Sequence, residues 1–183
     1  MEISCILNHN TYMNFLKFSQ KKALKIFRLL GYIMIVCSII YGFATFTDEI
    51  IYDELIGDIV FMCITALAGL YLVFGIKPLT LKIYEKTINS NKIMSSNPTI
   101  AYSFNENNFR VLLTCNYCLE DCTYSYEIIN HIVEVDNAIY VYIANNTAHI
   151  IEKTIDNNEA YNDVSNFLKD KFGSKYMFAL SKK

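Results

Sequence analysis

The sequence predicts a membrane α-helical hairpin of two spanning helices joined to a small α+β domain, an antiparallel sheet with one C-terminal helix. Three observations carry this reading. Two long runs hold no charged residue, Leu29–Thr47 and Ile59–Ile76. The net charge of −2 resolves along the chain into +4 for residues 1–28, −5 for 29–58, +3 for 59–98 and −4 for 99–183. After residue 98 the apolar pattern changes from helical spacing to short strand-like runs.

Residues 1–28 open with Glu2–Leu7, where polar and apolar side chains roughly alternate as in a half-buried strand. Asn8, Asn10 and Thr11 can each cap a helix. From Tyr12 to Phe27 the residues Tyr12, Phe15, Leu16, Leu24 and Phe27 recur at roughly helical spacing, with lysines largely between them. This segment is expected to be a basic amphipathic helix, either facing anionic headgroups or packed on the cytoplasmic domain.

Residues 29–47 and 59–76 are the expected spans. A hydrocarbon core of about 30 Å takes roughly 20 helical residues, and both runs are near that length. Core helices of a soluble bundle would show polar residues every few positions. A cleaved leader ending near Gly42–Ala44 would need a 28-residue basic region before its apolar stretch, and a second apolar run follows. The flanks at 1–28 and 77–98 hold nine of the sixteen basic residues, and the acidic 48–58 loop holds none. Basic flanks stay in the cytoplasm, so both termini are expected there and the loop outside. Ser38 and Gly42 in the first span, and Thr65 and Gly69 in the second, are small residues four apart that let helices approach closely. They can pack within one hairpin or between copies, which leaves a homo-oligomer open.

Residues 77–98 read as a basic helix to about Asn91 followed by a Ser-Ser-Asn-Pro turn. Strands are expected at Thr99–Phe104, Phe109–Cys115, Cys122–Tyr126, Ile132–Val135, Ile139–Ala144 and His149–Glu152, with turns at Asp136-Asn137 and Asn145-Asn146. Asn157–Phe172 closes the 99–183 domain as a helix, its stripe formed by Ala160, Tyr161, Val164, Phe167, Leu168 and Phe172, with Gly173 as cap.

Reaction signatures are absent. Glycine does not occur from residue 76 through 172, which removes the phosphate-binding loop, the dinucleotide fingerprint and the nucleophile elbow from this domain. No charged residue lies inside either span, which weakens transport and proton relay. Cys115, Cys118 and Cys122 have spacing that suits part of a zinc or iron–sulfur site, but no fourth ligand is near in sequence. Reduced thiols around a hairpin are the plainer reading, and no metal or cofactor is expected. His131 and His149 fall in strands as single residues, and neither basic surplus nor motif points to nucleic acid.

The segment Tyr124-Ser-Tyr-Glu-Ile-Ile-Asn-His-Ile-Val-Glu-Val-Asp-Asn-Ala-Ile-Tyr-Val-Tyr-Ile143, followed by Ala148-His-Ile-Ile-Glu-Lys153, resembles the YcxB-like family of bacterial membrane proteins. The order of strand, basic helix, two spans and β-rich domain is similar too. The chain departs from the family at Tyr126, where members often carry Trp, and at Glu152-Lys153, where they carry Pro-Lys. The resemblance implies a pleckstrin-homology-like (PH-like) sheet on a membrane hairpin, a return of Ile3–Leu7 to that sheet, and no catalytic residue. The expected function is therefore non-enzymatic: a multi-pass protein of the bacterial inner membrane whose cytoplasmic module binds a protein or an anionic lipid. Self-protection against a membrane-acting toxin or bacteriocin is an alternative. A metal or redox sensor built on Cys115, Cys118 and Cys122 is another.

Overall fold

The computed structural model describes residues 1–47, 52–144 and 147–179, which form two compact units, 1–16 with 86–179 and 17–85. The first is a β-rich module. Strand β1 (Glu2–Ile6) precedes helix α1 (His9–Thr47), and the chain returns as β2 (Thr99–Phe104), β3 (Asn108–Thr114) and β4 (Leu119–Ser125). These make one antiparallel sheet in the order β1-β2-β3-β4. Ile3 lies opposite Tyr102 and Cys5 opposite Ile100, so the N-terminal strand does return to the sheet. The ladder extends to the chain end, where the Phe104 amide donates to the Met1 carbonyl (2.7 Å) and the Met1 ammonium to the Phe104 carbonyl (3.0 Å).

A second sheet holds β5 (His131–Val135), β6 (Ala138–Ala144) and β7 (Thr147–Glu152) as an antiparallel meander, with β8 (Tyr176–Phe178) parallel to β5 at its edge. The strands Ile132–Val135 and Ile139–Ala144 read from sequence lie inside β5 and β6, while β8 is an element the sequence pattern did not announce. The Asn145-Asn146 turn lies outside the described residues. Alternation follows burial: Ile3 and Cys5, then Ile100, Tyr102 and Phe104, then Phe109 and Val111 turn inward. They meet the second sheet, where the Tyr102 hydroxyl donates to the Ile150 carbonyl (3.1 Å). Helix α5 (Asn158–Phe172) closes this core with Tyr161, Val164 and Leu168, all at 1% exposure or less. Gly173 ends it at φ +48°, a left-handed conformation that glycine adopts without a Cβ clash.

The first two turns of α1 belong to the same core. Asn8 caps them, its Oδ1 accepting from the Thr11 amide (3.0 Å), and Phe15 packs edge-on to Tyr140 (5.1 Å between ring centres). Thr11 Oγ1 also donates to Glu152 Oε2 (2.6 Å).

In the hairpin unit, α1 pairs with α2 (Tyr52–Leu70), a five-residue π-helical stretch Tyr71–Gly75, and α3 (Ile76–Ser90). A four-residue helix α4 (Lys92–Ser95) follows. Helix α1 runs unbroken past residue 28, and one expectation changes in this unit. Most of the expected 48–58 loop is helix from Tyr52 onward, since neither Gly nor Pro interrupts Tyr52–Ile56; residues 48–51 lie outside the described residues. Phe27 is 41% exposed and off the packed face of α1. Helix also continues past Pro78. A helical proline lacks an N–H and crowds the carbonyl four residues back, here Phe74, and the wider π-helical turn just before it relieves that register.

Candidate functional site

Positions 17, 21, 25 and 28 are spaced by 4, 4 and 3, which at 100° per residue puts them on one face of a helix. Lys17, Lys21, Lys25 and Arg28 thus form a basic stripe along α1. The structure sets this stripe against the start of α3, and the two enclose a cavity of about 420 Å³. Lys77 adds a fifth cation from α3. Leu24 and Leu81 supply apolar wall, and Tyr84 sits at the end of the lining. No acidic side chain lines the cavity, and among the described residues none of the five cations has an ion-pair partner. Partial burial pushes the Tyr84 phenol up, so it stays protonated and can donate.

Beyond the cavity the two helices come into close contact. A Cβ on Gly31 would lie 2.8 Å from the Gly69 carbonyl oxygen, and one on Gly69 would lie 2.9 Å from that of Gly31. Only two glycines facing each other permit this approach. Farther along, Ser38 Oγ donates to the Met62 carbonyl (3.0 Å), a Cβ on Gly42 would meet Met62 Sδ at 2.7 Å, and the Tyr41 hydroxyl donates to Asp58 (2.7 Å). Of the four small residues singled out in the sequence, Ser38, Gly42 and Gly69 therefore line the contact. Thr65 differs: its Oγ1 turns back to the Phe61 carbonyl of its own helix (2.8 Å), which satisfies the hydroxyl without a partner helix. Gly31 was missed, although it stands seven residues before Ser38 on the same face.

The cysteine trio is split. Cys115 and Cys118 close the β3–β4 turn with their sulfurs 2.9 Å apart, and Cys115 Sγ accepts the backbone N–H groups of Tyr117 (3.3 Å) and Cys118 (3.1 Å). Those hydrogen bonds, the Cys118 thiol first among them, hold the Cys115 thiol below its ordinary value. The same sharing pushes Cys118 up to about 11. Cys122 stands opposite Val111 in the ladder and is exposed. Among the described residues no three His, Cys, Asp or Glu side chains converge as a metal site would require. Cys5 is buried beneath β7, and burial pushes its thiol up to about 11.

Two further polar groups sit inside the module. Glu134, 8% exposed, accepts from the Tyr176 hydroxyl (2.7 Å) and the Ser165 hydroxyl (3.3 Å) and pairs with Lys169 (3.1 Å). It ties β5 to α5 and β8, with its oxygens already engaged. His149 lies among the rings of Tyr102, Phe109 and Tyr124 at 5.9, 5.7 and 5.3 Å between centres, and its Nε2 has no partner. Burial lowers its pKa to about 4. His131 instead stacks flat on Tyr142 at 4.3 Å. Compared with known proteins, the chain matches no family model, no curated sequence and no solved structure.

Proposed function

We propose that this chain is a two-span membrane protein of the YcxB-like type, with both termini in the bacterial cytoplasm. Its β-rich module would be a PH-like binding unit for a protein or anionic lipid and not a catalyst. One observation carries the topology. Strand β1 precedes both apolar helices and β2 follows them, yet the two pair residue for residue. A chain that crosses a membrane and crosses back returns to the side where it started, and the sheet can then form there. Two helices are long and apolar enough for the crossings. The 19-residue charge-free run of α1 rises about 28 Å, near the thickness of a hydrocarbon core. Its side chains include Leu29, Ile33, Val36, Ile40 and Phe43, each at least 49% exposed, as suits contact with lipid tails.

The PH-like reading is supported by two antiparallel sheets, β1–β4 and β5–β7, closed by a C-terminal helix. The buried carboxylate Glu134 is committed to Tyr176, Ser165 and Lys169, which gives it a structural role. A redox-sensing reading has one favourable observation, the Cys115–Cys118 pair, and stands second.

Trypsin tests the topology directly, because no Lys or Arg lies between Arg28 and Lys77. Intact spheroplasts should protect the whole chain. After lysis, trypsin should leave a membrane-held fragment of residues 29–82, because Lys77 precedes Pro78 and a Lys–Pro bond resists trypsin. Cleavage in intact spheroplasts would refute the orientation, and turnover of a defined metabolite by the reconstituted chain would refute the binding reading.

A further inference from the structure

We propose that the basic cavity between α1 and α3 is a binding site for the phosphate of an anionic lipid headgroup; this rests on reading the hairpin as membrane-spanning. Five cations, Lys17, Lys21, Lys25, Arg28 and Lys77, surround one space with no acid among its lining residues. Like charges lining one space repel unless a counter-charge sits between them, and among the described residues none is supplied. At the Arg28–Lys77 end of the cavity a phosphate offers several acceptor oxygens to Lys25, Arg28 and Lys77, and the Arg28 guanidinium can engage two of them.

Placement selects a lipid over free phosphate. Arg28 and Lys77 are the last charged residues before the charge-free runs of the two helices, so that end of the cavity lies at headgroup depth. Leu24 and Leu81 give the cavity an apolar wall, which suits a glycerol or acyl segment and offers nothing to an inorganic ion. Lys22 and Lys82 belong to the same two segments but do not line the cavity. They separate a site from a diffuse basic belt.

The test uses the full chain purified in a zwitterionic detergent, with phosphatidylglycerol titrated in and bound lipid counted by native mass spectrometry. Saturable retention is expected for the parent. Removing two cavity cations in a Lys25→Gln/Lys77→Gln variant should weaken it by at least about tenfold, since each basic group near an anionic surface is worth about fivefold. The Lys22→Gln/Lys82→Gln variant loses the same net charge, but neither residue lines the cavity and solvent screens them from a phosphate inside it, so retention should change by less than about twofold. Lys25→Arg/Lys77→Arg should restore binding, which shows that the glutamine variant fails for lack of charge and not of fold. Equal loss in both glutamine variants, or unsaturable retention throughout, would overturn the proposal. So would displacement of the lipid by inorganic phosphate at millimolar concentration. Alkaline carbonate extraction distinguishes the deeper failure: a chain released from membranes is not a spanning protein, and the proposal then falls with the topology. A chain that resists extraction without binding saturably refutes the site alone.

Discussion

Acid should weaken the β-rich module through one side chain, His149. Its ring lies among those of Tyr102, Phe109 and Tyr124, and its Nε2 is shielded and meets no acceptor, so a positive charge there would be poorly compensated. Burial lowers its pKa from 6.5 to about 4. Because the folded value lies below the unfolded one, the unfolded chain takes up the proton first as pH falls. The contribution of His149 to stability is thus complete above pH 6.5 and is lost progressively toward pH 4. Integrating between these two pKa values, the drop from pH 7 to pH 5 removes about 2 kcal/mol.

The assay is urea unfolding of the full chain in detergent at both pH values, followed through the tyrosine near-ultraviolet signal, since tryptophan is absent. The His149→Phe variant keeps a ring in the aromatic pocket and has no titrating group. Subtracting its pH dependence from that of the parent removes the carboxylates common to both. A difference of about 2 kcal/mol is expected. Proton NMR of the His149 ring gives the same answer independently, with its titration falling far below 6.5. If His149 titrates near 6.5, or the variant loses as much stability as the parent, the burial argument is wrong.

Three further outcomes follow from the geometry. Gly31→Ala pushes a Cβ against the Gly69 carbonyl and should lower detergent thermostability by about 1–3 kcal/mol, whereas Gly57→Ala, which meets nothing within 4 Å, should be neutral or slightly stabilising. Iodoacetamide at pH 7.5 should alkylate Cys115 well before Cys118 or Cys5 by peptide mapping, and Cys118→Ala should slow the Cys115 reaction by removing the leading cause of its lowered pKa. Glu134→Gln leaves Lys169 without its anion and should cost about 1–3 kcal/mol in urea unfolding, more than Tyr176→Phe, which removes a single hydroxyl.

What could be read from sequence was what depends on local pattern. Strand β2 matches the expected Thr99–Phe104 because every second side chain is buried. Strand β4 was placed three residues too late, since Leu119, Glu120 and Asp121 all face solvent and show no alternation; pairing with β3 sets its start. Strand β8 is three residues long, too short for a pattern, and exists because β5 offers it a parallel edge. The basic stripe of α1 was visible as a set of lysines, and its 4-4-3 spacing already placed them on one face. That Lys77 and Tyr84 complete the lining is a tertiary fact, which no periodicity within either segment encodes.

The same division explains how a sheet survives an interruption of 92 residues between Ile6 and Thr99. Closing a flexible loop of that length costs about 4 kcal/mol. The intervening chain is no flexible loop. Gly31 and Gly69 draw α1 and α2 to backbone contact, and beyond that contact residues from Lys17 to Arg28 and from Lys77 to Tyr84 line one cavity. A formed helical hairpin holds its two ends together, which would remove most of that closure cost from the pairing of β1 with β2. On this argument the glycine contact in one unit supports the pairing of β1 in the other. Gly31→Ala should accordingly speed amide exchange in β1 at Ile3–Ile6 as well as loosen the helices. Exchange there unchanged, with the hairpin demonstrably destabilised, would mean that β1 is held by the sheet alone.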